Sequence, residues 1–467
     1  MTQHHQESPP VTPRAPPFTG RSLDSLRSAA GSSLVSARPA HPVRAAPEGV
    51  ALPYDAAAVR AQFPALASGV AHFDGPGGTQ TPRPVIDAIA DALAGPLSNR
   101  GTLTPGERNS SALVVEAREA LADLLAADPA GIVLGRSATQ LTYDFSRTLA
   151  KTWAPGDEVV VSRLDHDSNV RPWIQAAEAA GAVVRWADFD PATGELTLEH
   201  LRAALSDRTR LVAVTAASNL IGTCPDVAAI ARLAHAAGAL LYVDGVHYTA
   251  HAAVDVGALG ADLYVCSPYK FFGPHLGVLA GRVDLLETLS PDKLLPSTNA
   301  VPERFEYGTL PYEQLAGARA AVDFLAGLGE ADPEAEAGAA AAGAGGRRAR
   351  LVAALGRIEA HEDALRLRIE QGLAGLDGVT VHSRAARRTP TLLLTLDGRA
   401  EADAYRHLAG RKVHAPAGSF YAIEPSRRLG LGETGGLRVG LAPYNDAEDV
   451  ERLLAGLADF LAADDGR

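Results

Sequence analysis

Short apolar runs alternate with amphipathic stretches over most of the chain from Val50 onward. The apolar runs have the length of buried strands, and the predicted strands are Gly131–Leu134, Glu158–Val161, Val183–Trp186, Leu211–Thr215, Leu240–Val243 and Leu263–Cys266. The stretches between them follow a helical period, which predicts the helices Ser110–Ala126, Val170–Ala180 and Val227–Ala237. This alternation indicates βαβ units and a mostly parallel sheet, so the fold class is α/β. Because such sheets bind ligands at the carboxyl ends of their strands, polar residues just beyond a strand are the first candidates for chemistry.

The same pattern divides the chain into four parts. Residues 1–49 are rich in Pro, Ser, Ala and Arg and lack periodicity, which predicts a disordered extension. Residues 50–330 comprise an N-terminal segment and the large domain, residues 331–350 an Ala/Gly-rich loop or frayed helix, and residues 351–467 a small α/β domain. The strand candidates and last helix of the small domain are Thr380–His382, Thr391–Leu396, Val413–His414, Leu437–Leu441 and Ala447–Ala462. We expect the segment near residues 50–84 to complete this small domain.

Composition and charge exclude several classes of partner. The net charge of -12 over 467 residues argues against nucleic acid or an anionic membrane as the main partner. No uninterrupted apolar run approaches the ~20 residues that a membrane span needs. The two cysteines, Cys224 and Cys266, make neither a disulfide framework nor a metal cluster. We therefore expect no metal site and a cytoplasmic location.

Two charged residues follow neighbouring predicted strands. Asp244 ends the apolar run of LYVDGVHYTAH, and Lys270 follows the run of LYVCSPYKFFGPHLG. Burial of both charges is costly unless each has a partner. Pyridoxal 5'-phosphate (PLP) supplies both, because its pyridine nitrogen pairs with a carboxylate and its aldehyde condenses with a lysine amine. An ordinary Asp–Lys ion pair is the alternative, but the spacing of Ser267 and Lys270, with Gly273 and Gly277 beyond, favours the cofactor.

These segments resemble the class V aminotransferase family of fold-type I PLP enzymes, and within it the cysteine desulfurase-like proteins. The similarity runs from about His72 to Leu457 and rests on several motifs in the family's order. It implies a large domain with a mainly parallel sheet of the seven-stranded type and a small C-terminal α/β domain. It also implies an amino acid as substrate, with Lys270 carrying PLP as a Schiff base and exchanging protons with the substrate. Asp244 would stabilise the electron-rich cofactor ring.

The resemblance assigns further residues to the cofactor. Ala138 and Thr139 in GRSATQLTY stand at the turn that holds the phosphate at a helix N-terminus. His166 in SRLDHDSNVRPW matches the histidine that stacks on the PLP ring. The implied catalytic residues are therefore Lys270, Asp244 and His166.

Five more positions follow from the same resemblance. Asn219 in AASNLIGT lies near the phenolic oxygen of the cofactor and the substrate, and His247 stands where desulfurases commonly have Gln facing that oxygen. Ser267 is another implied phosphate ligand. Thr309 in FEYGTLPYE would reach the phosphate of the neighbouring subunit, which implies a homodimer with a shared active site. Arg438 in GGLRVGLAPYNDAEDV would bind the carboxylate of the substrate.

Two departures from the desulfurase pattern concern the chemistry. Desulfurases carry a loop cysteine that takes sulfur as a persulfide, whereas the corresponding segment here is VHAPAGSFYAI, with Ser419. Tyr269 also replaces the His that usually precedes the lysine. We therefore expect desulfurase-like C–S lyase chemistry, in which a group leaves Cβ by β-elimination.

Other functions stay open at this point. Transamination or epimerisation at the same site is the main alternative. Like β-elimination, both reactions begin with loss of a proton from Cα. A catalytically idle PLP-fold binding protein is a remote alternative, disfavoured by Lys270, Asp244, His166 and Arg438. A nicotinamide-dependent dehydrogenase is weaker still, because no predicted strand is followed by G-x-G-x-x-G.

Overall fold

The computed structural model describes residues 54–329 and 346–463, where the chain folds into alternating strands and helices. The strands are β1 (Ala71–His72), β2 (Ile132–Gly135), β3 (Glu158–Ser162), β4 (Val183–Ala187), β5 (Thr209–Thr215), β6 (Leu240–Asp244), β7 (Leu263–Cys266), β8 (Gly277–Gly281), β9 (Val379–Val381), β10 (Thr391–Leu396), β11 (Val413–His414), β12 (Ala417–Gly418) and β13 (Gly436–Gly440). The α-helices are α1 (Ala56–Arg60), α2 (Arg83–Ala94), α3 (Pro105–Leu125), α4 (Ala138–Ala150), α5 (Arg171–Ala180), α6 (Leu198–Ala204), α7 (Val227–Ala236), α8 (Val256–Leu259), α9 (Val283–Thr288), α10 (Tyr312–Gly327), α11 (Gly346–Leu373), α12 (Glu401–Gly410), α13 (Ile423–Arg428) and α14 (Ala447–Ala462).

The central sheet has seven strands in the order β2-β8-β7-β6-β5-β3-β4. Its neighbours from β7 to β4 pair in parallel, and β8 runs antiparallel to both β7 and β2. In the register of β5 and β6, Thr215 lies opposite Asp244 at the carboxyl ends of the two strands. The polar residues that follow these strands therefore meet along one edge of the sheet.

Alternation of side chains along each strand fills two cores, one on either face of this sheet. Leu211 and Ala213 of β5 join the cluster that contains Trp173. Val212 and Val214 of the same strand join the opposite cluster. Successive side chains of a strand point to opposite faces, so apolar residues at every position indicate a strand covered on both sides.

A smaller antiparallel sheet has the strand order β12-β13-β10-β9. Leu392 and Leu394 of β10 pack with Leu437 and Val439 of β13 in a third core, which α11 and α14 also line. β1 pairs in parallel with β11, and Phe73 packs into the same core. The N-terminal segment thus contributes a strand to the smaller part of the molecule, while α1 and the residues that follow it pack against the larger core. The domain boundaries themselves stay a prediction.

The structure adds three strands to the sequence prediction, β1, β8 and β12, and changes the bounds of others. β8 was not predicted, because GVLAG is short and its two glycines are typical of a turn. Gly277 is required there, since a Cβ at this position would overlap the backbone of Ser137. Residues 346–350, in the segment predicted as a loop or frayed helix, are the first residues of α11. The predicted disorder of residues 1–49 and the rest of that loop lie outside the described residues.

Helices long and apolar enough for a membrane crossing do not occur within residues 54–329 and 346–463.

Candidate active site

Lys270 lies in a short 3-10 helix just beyond the end of β7. Its side chain is buried, and Nζ donates a hydrogen bond to the carbonyl oxygen of Pro76. Burial, helped by the positive charge of Arg438, lowers the pKa of Lys270 to about 7, against the opposing effects of Asp74 and Asp244. A large fraction of this amine is therefore unprotonated and nucleophilic near neutral pH.

Asp244 ends β6, one strand away from the lysine. One of its carboxylate oxygens accepts a hydrogen bond of 2.9 Å from the backbone N–H of Val246. Burial raises the pKa of Asp244 to about 6, although the Val246 N–H and the charge of Lys270 lower it. A buried carboxyl group with this pKa is well matched to share a proton with a nitrogen base of similar strength.

A second buried carboxyl group, that of Asp165, lies in the loop after β3. It accepts hydrogen bonds from the hydroxyl of Ser162 and, at 2.7 Å, from the amide of Asn169, whose oxygen accepts a bond from Trp173 Nε1. Burial raises the pKa of Asp165 to about 8, and the negative charge of Asp244 adds to this effect. Asp165 was not among the predicted site residues, although it stands next to His166 in the motif SRLDHDSNVRPW.

His166 is a neutral ring that faces the same cavity. Its Nδ1 accepts a hydrogen bond of 3.0 Å from the backbone N–H of Ser168, so the ring proton is on Nε2. Burial, with the charges of Lys270 and Arg438, lowers the pKa of His166 to about 3. The ring stacks on Tyr421 with a centroid distance of 5.6 Å.

The N-terminus of α4 lines another part of the cavity. Ser137 caps this helix by accepting a hydrogen bond of 3.1 Å from Gln140 N–H, and Ala138 and Thr139 form its first turn. The first N–H groups of a helix have no partner within the helix and favour an anion. Ser267, also buried, lines the same cavity.

Arg438 lies on β13 with its side chain fully buried. Nη1 donates a hydrogen bond of 3.1 Å to the carbonyl of Asn219, and Nη2 donates to Asp74 Oδ1 at 2.5 Å. The guanidinium group lies 3.6 Å from the ring centroid of Phe420, which covers one of its faces. Nε has no partner among the described residues. A carboxylate can therefore approach along the edge that carries Nε.

The turn that follows β12 carries two aromatic residues in the left-handed backbone region. Phe420 has φ 53° and Tyr421 has φ 57°, which is unfavourable for residues with a Cβ. The Asn219 amide donates a hydrogen bond of 3.0 Å to the Phe420 carbonyl, and Asp167 N–H donates one of 2.8 Å to the Tyr421 carbonyl. These bonds hold the strained turn at the cavity.

Nine of the ten predicted site residues line one cavity of about 660 Å³. These are Ala138, Thr139, His166, Asn219, Asp244, His247, Ser267, Lys270 and Arg438. Thr309 is exposed and does not line it. Other lining residues were not predicted from the sequence, among them Asp74, Ser137, Asp167, Phe420 and Tyr421, although the last four lie in motifs quoted above.

Neither cysteine lies in this cavity. Cys266 is inside β7 and Cys224 follows the loop after β5, and both side chains are buried. Burial raises the pKa of Cys224 to about 12 and also raises that of Cys266. Buried thiols with raised pKa values that lie outside the cavity are poorly placed to attack a molecule within it.

Comparison with known proteins shows similarity over most of the chain. The sequence model of the class V aminotransferase family matches residues 71–347 and 340–453. A probable cysteine desulfurase of Pseudomonas aeruginosa is 32% identical over 85% of this chain and 96% of its own length. An aminotransferase-like protein of Gibberella zeae is 30% identical, with 85% and 96% covered. Among solved structures, the cysteine desulfurase CsdA of Escherichia coli superposes with a TM-score of 0.75 at 28% identity, over 87% of this chain and 98% of that one.

Proposed function

The chain belongs to the class V aminotransferase family of PLP-dependent enzymes, and on that premise we propose that it breaks the Cβ–S bond of a sulfur-containing amino acid by β-elimination. The family membership and the similarity to CsdA confirm the predicted fold class, cofactor and enzyme class. The relatives named as cysteine desulfurases support sulfur amino-acid chemistry. The absence of a thiol from the cavity is the observation that favours elimination over transfer of sulfur to the enzyme.

The residues of the cavity fit PLP in charge and in hydrogen bonding. The N-terminus of α4 with Ser267 suits the phosphate, and Asp244 suits the pyridine nitrogen. Lys270, with a pKa of about 7, suits the aldehyde. Three buried polar atoms of the residues that line this cavity have no hydrogen-bond partner within the described part of the chain: Oδ1 of Asn219, Nδ1 of His247 and Nε of Arg438. Buried polar atoms are rarely left unpaired, which indicates a polar ligand.

Bound PLP accepts the electron pair released at the substrate Cα. Asp244 would hold the proton on the ring nitrogen of the cofactor, and His166 would pack against that ring. Arg438 binds the substrate carboxylate and so orients the Cα–H bond toward Lys270. Lys270 Nζ takes the Cα proton. Phe420 and Tyr421 line the same cavity.

The sulfur then leaves with the electron pair of the Cβ–S bond and receives a proton, so that the products are a thiol or sulfide and aminoacrylate. Aminoacrylate hydrolyses to pyruvate and ammonia. A desulfurase instead uses a thiolate to attack sulfur, which yields alanine and a persulfide. Ser419 lies in the segment that corresponds to the cysteine loop of desulfurases. Its hydroxyl is a far weaker nucleophile than a thiolate near pH 7.

The products of the loaded enzyme test this proposal. Cysteine and S-substituted cysteines are supplied in turn, and pyruvate, ammonia, sulfide or thiol, and alanine are quantified. We expect pyruvate and ammonia in equal amounts with no alanine. Stoichiometric alanine with a trapped persulfide would refute elimination. Conversion of the amino acid to its oxo acid without loss of sulfur, or to its mirror image, would instead establish transamination or epimerisation.

We also propose that the active form is a homodimer, in which Thr309 contributes to the cofactor site of the partner chain. Thr309 is exposed and outside the cavity of its own chain, as this role requires. Leu103 and Tyr307 are exposed apolar side chains on segments that an Arg100–Glu303 ion pair of 3.1 Å joins. Exposed apolar groups on adjoining segments favour a protein interface. The cytoplasmic location stays a prediction from the low cysteine content.

A further inference from the structure

His247 contacts two threonine hydroxyls that come from the smaller sheet and the segment before it. Its Nε2 lies 2.9 Å from Thr389 Oγ1 and 3.0 Å from Thr391 Oγ1. His247 is buried and lines the cavity, and its Nδ1 has no hydrogen-bond partner among the described residues. One nitrogen of the ring is thus held by two hydroxyls, and the other is free to meet a ligand.

The ring is neutral, so it has one N–H group to place. Burial lowers the pKa of His247 well below its usual value, and the nearby His251, Lys270 and Arg438 lower it further. His251 packs edge-on against it with a centroid distance of 4.8 Å, and its own Nδ1 lies 2.8 Å from Glu362. The Glu362 carboxylate is hydrogen-bonded to His251, so it does not accept the N–H proton of His247.

The hydroxyls allow the proton to be on Nδ1. A carbonyl or carboxylate beside Nε2 would accept only, and would therefore force the proton onto Nε2. A threonine hydroxyl can donate, which lets Nε2 act as the acceptor. Among the described residues, Thr391 Oγ1 has a hydrogen-bond contact only with His247. Thr389 Oγ1 also lies 3.4 Å from the carbonyl oxygen of Gly222. Thr391 is therefore the better placed donor.

We propose that Thr391, assisted by Thr389, is a positioning residue that holds His247 in its Nδ1–H tautomer, so that an N–H donor faces the phenolic oxygen of PLP. The proposal concerns the cofactor and holds whichever amino acid is the substrate. A hydrogen-bond donor at the phenolic oxygen stabilises the anionic form of that oxygen. The oxygen then binds less tightly the proton that it shares with the Lys270 nitrogen. That proton is then lost at a lower pH.

The pH at which the visible absorption band of the holoenzyme changes reports this proton. Thr391→Val and the double variant Thr389→Val/Thr391→Val remove the hydroxyls at nearly constant volume. We expect the midpoint of the absorbance titration to rise by about one to two pH units in the double variant, the size of a hydrogen bond to a charged group. Thr391→Ser, which keeps the hydroxyl, is the matched control and should keep the wild-type midpoint.

His247 variants provide an independent check if the valine variants fail to fold. His247→Gln keeps an N–H donor and should leave the midpoint close to that of the wild type. His247→Leu should raise it as the double threonine variant does. An unchanged midpoint in His247→Leu, or in a folded and PLP-saturated double threonine variant, would overturn the proposal. An equal shift in Thr391→Ser would do the same, because it would assign the effect to packing.

Discussion

Asp74 Oδ1 lies 2.5 Å from Nη2 of Arg438, although 364 positions separate the two residues in the sequence. Asp74 follows β1, and the next turn contains Pro76, whose carbonyl accepts the hydrogen bond from Lys270. One short segment of the N-terminal region therefore contacts both the proposed carboxylate-binding residue and the proposed cofactor lysine.

Asp74→Asn should lower the pKa of Lys270 below its present value of about 7, because the carboxylate of Asp74 favours the charged amine. The rate of PLP incorporation into the apoenzyme reports the unprotonated fraction of Lys270. This rate should rise with pH and level off above the pKa, and in the variant the midpoint should move to lower pH. Asp87→Asn, at an exposed position of α2, is the control. An unchanged or higher midpoint in Asp74→Asn would contradict the electrostatic coupling.

Borohydride reduction of the holoenzyme should place the phosphopyridoxyl group on Lys270 alone. The other lysines of the chain are Lys151, Lys293 and Lys412. Lys151 forms an exposed ion pair with Asp292 and lies outside the cavity, as do the other two. Peptide mass spectrometry identifies the modified residue, and Lys270→Ala should abolish the label. A label on any other lysine would refute the site.

Asp244→Asn should bind PLP but turn over about 10² to 10⁴ times more slowly, the usual contribution of a positioned acid or base. An amide cannot hold the proton on the ring nitrogen, while the contacts of α4 and Ser267 to the phosphate persist. The cofactor content per chain and the turnover are measured on the same preparation. Asp255→Asn, at the N-cap of α8, is a matched change outside the cavity. Turnover near that of the wild type in Asp244→Asn would remove the role assigned to this carboxylate.

Thr309→Val should reduce the affinity of the dimer for PLP, because it removes a donor to the phosphate. A mixed dimer of Thr309→Val and Lys270→Ala chains makes the test specific. If Thr309 acts across the interface, one of the two sites in that dimer has both Lys270 and a partner threonine, and it should bind PLP with wild-type affinity. Cofactor titration of the separated mixed dimer measures this. An active monomer in sedimentation, or a mixed dimer without a normal site, would contradict the shared site.

Replacing both cysteines by alanine should leave the product ratio of pyruvate to alanine unchanged. Both side chains are buried and outside the cavity. A loss of stability of about 1 to 3 kcal/mol is expected from the methylene-sized voids and is measured by denaturant unfolding. A change in the product ratio at full PLP saturation would show that a thiol takes part in the chemistry.

Local sequence was enough for the strands of the parallel sheet and for the residues at their ends. The apolar runs before Asp244 and Lys270 are almost entirely buried, so their positions are apolar and the change to polar residues marks where each strand ends. Because the carboxyl ends of parallel strands share one edge, Asp244 and Lys270 could be placed together without coordinates, whereas the other seven predicted residues that line the cavity came from the resemblance to the family.

Contacts between distant segments could not be obtained in this way. β8 has little local signal, and its place depends on the close approach of Gly277 to the N-terminus of α4. Asp74 and Phe420 reach Arg438 only because β1 joins β11 and the turn after β12 folds back onto Asn219. The tautomer proposed for His247 likewise depends on Thr389 and Thr391, more than 140 residues away. Such pairings arise from the packing of the smaller sheet against the larger one, and no periodicity along the chain encodes them.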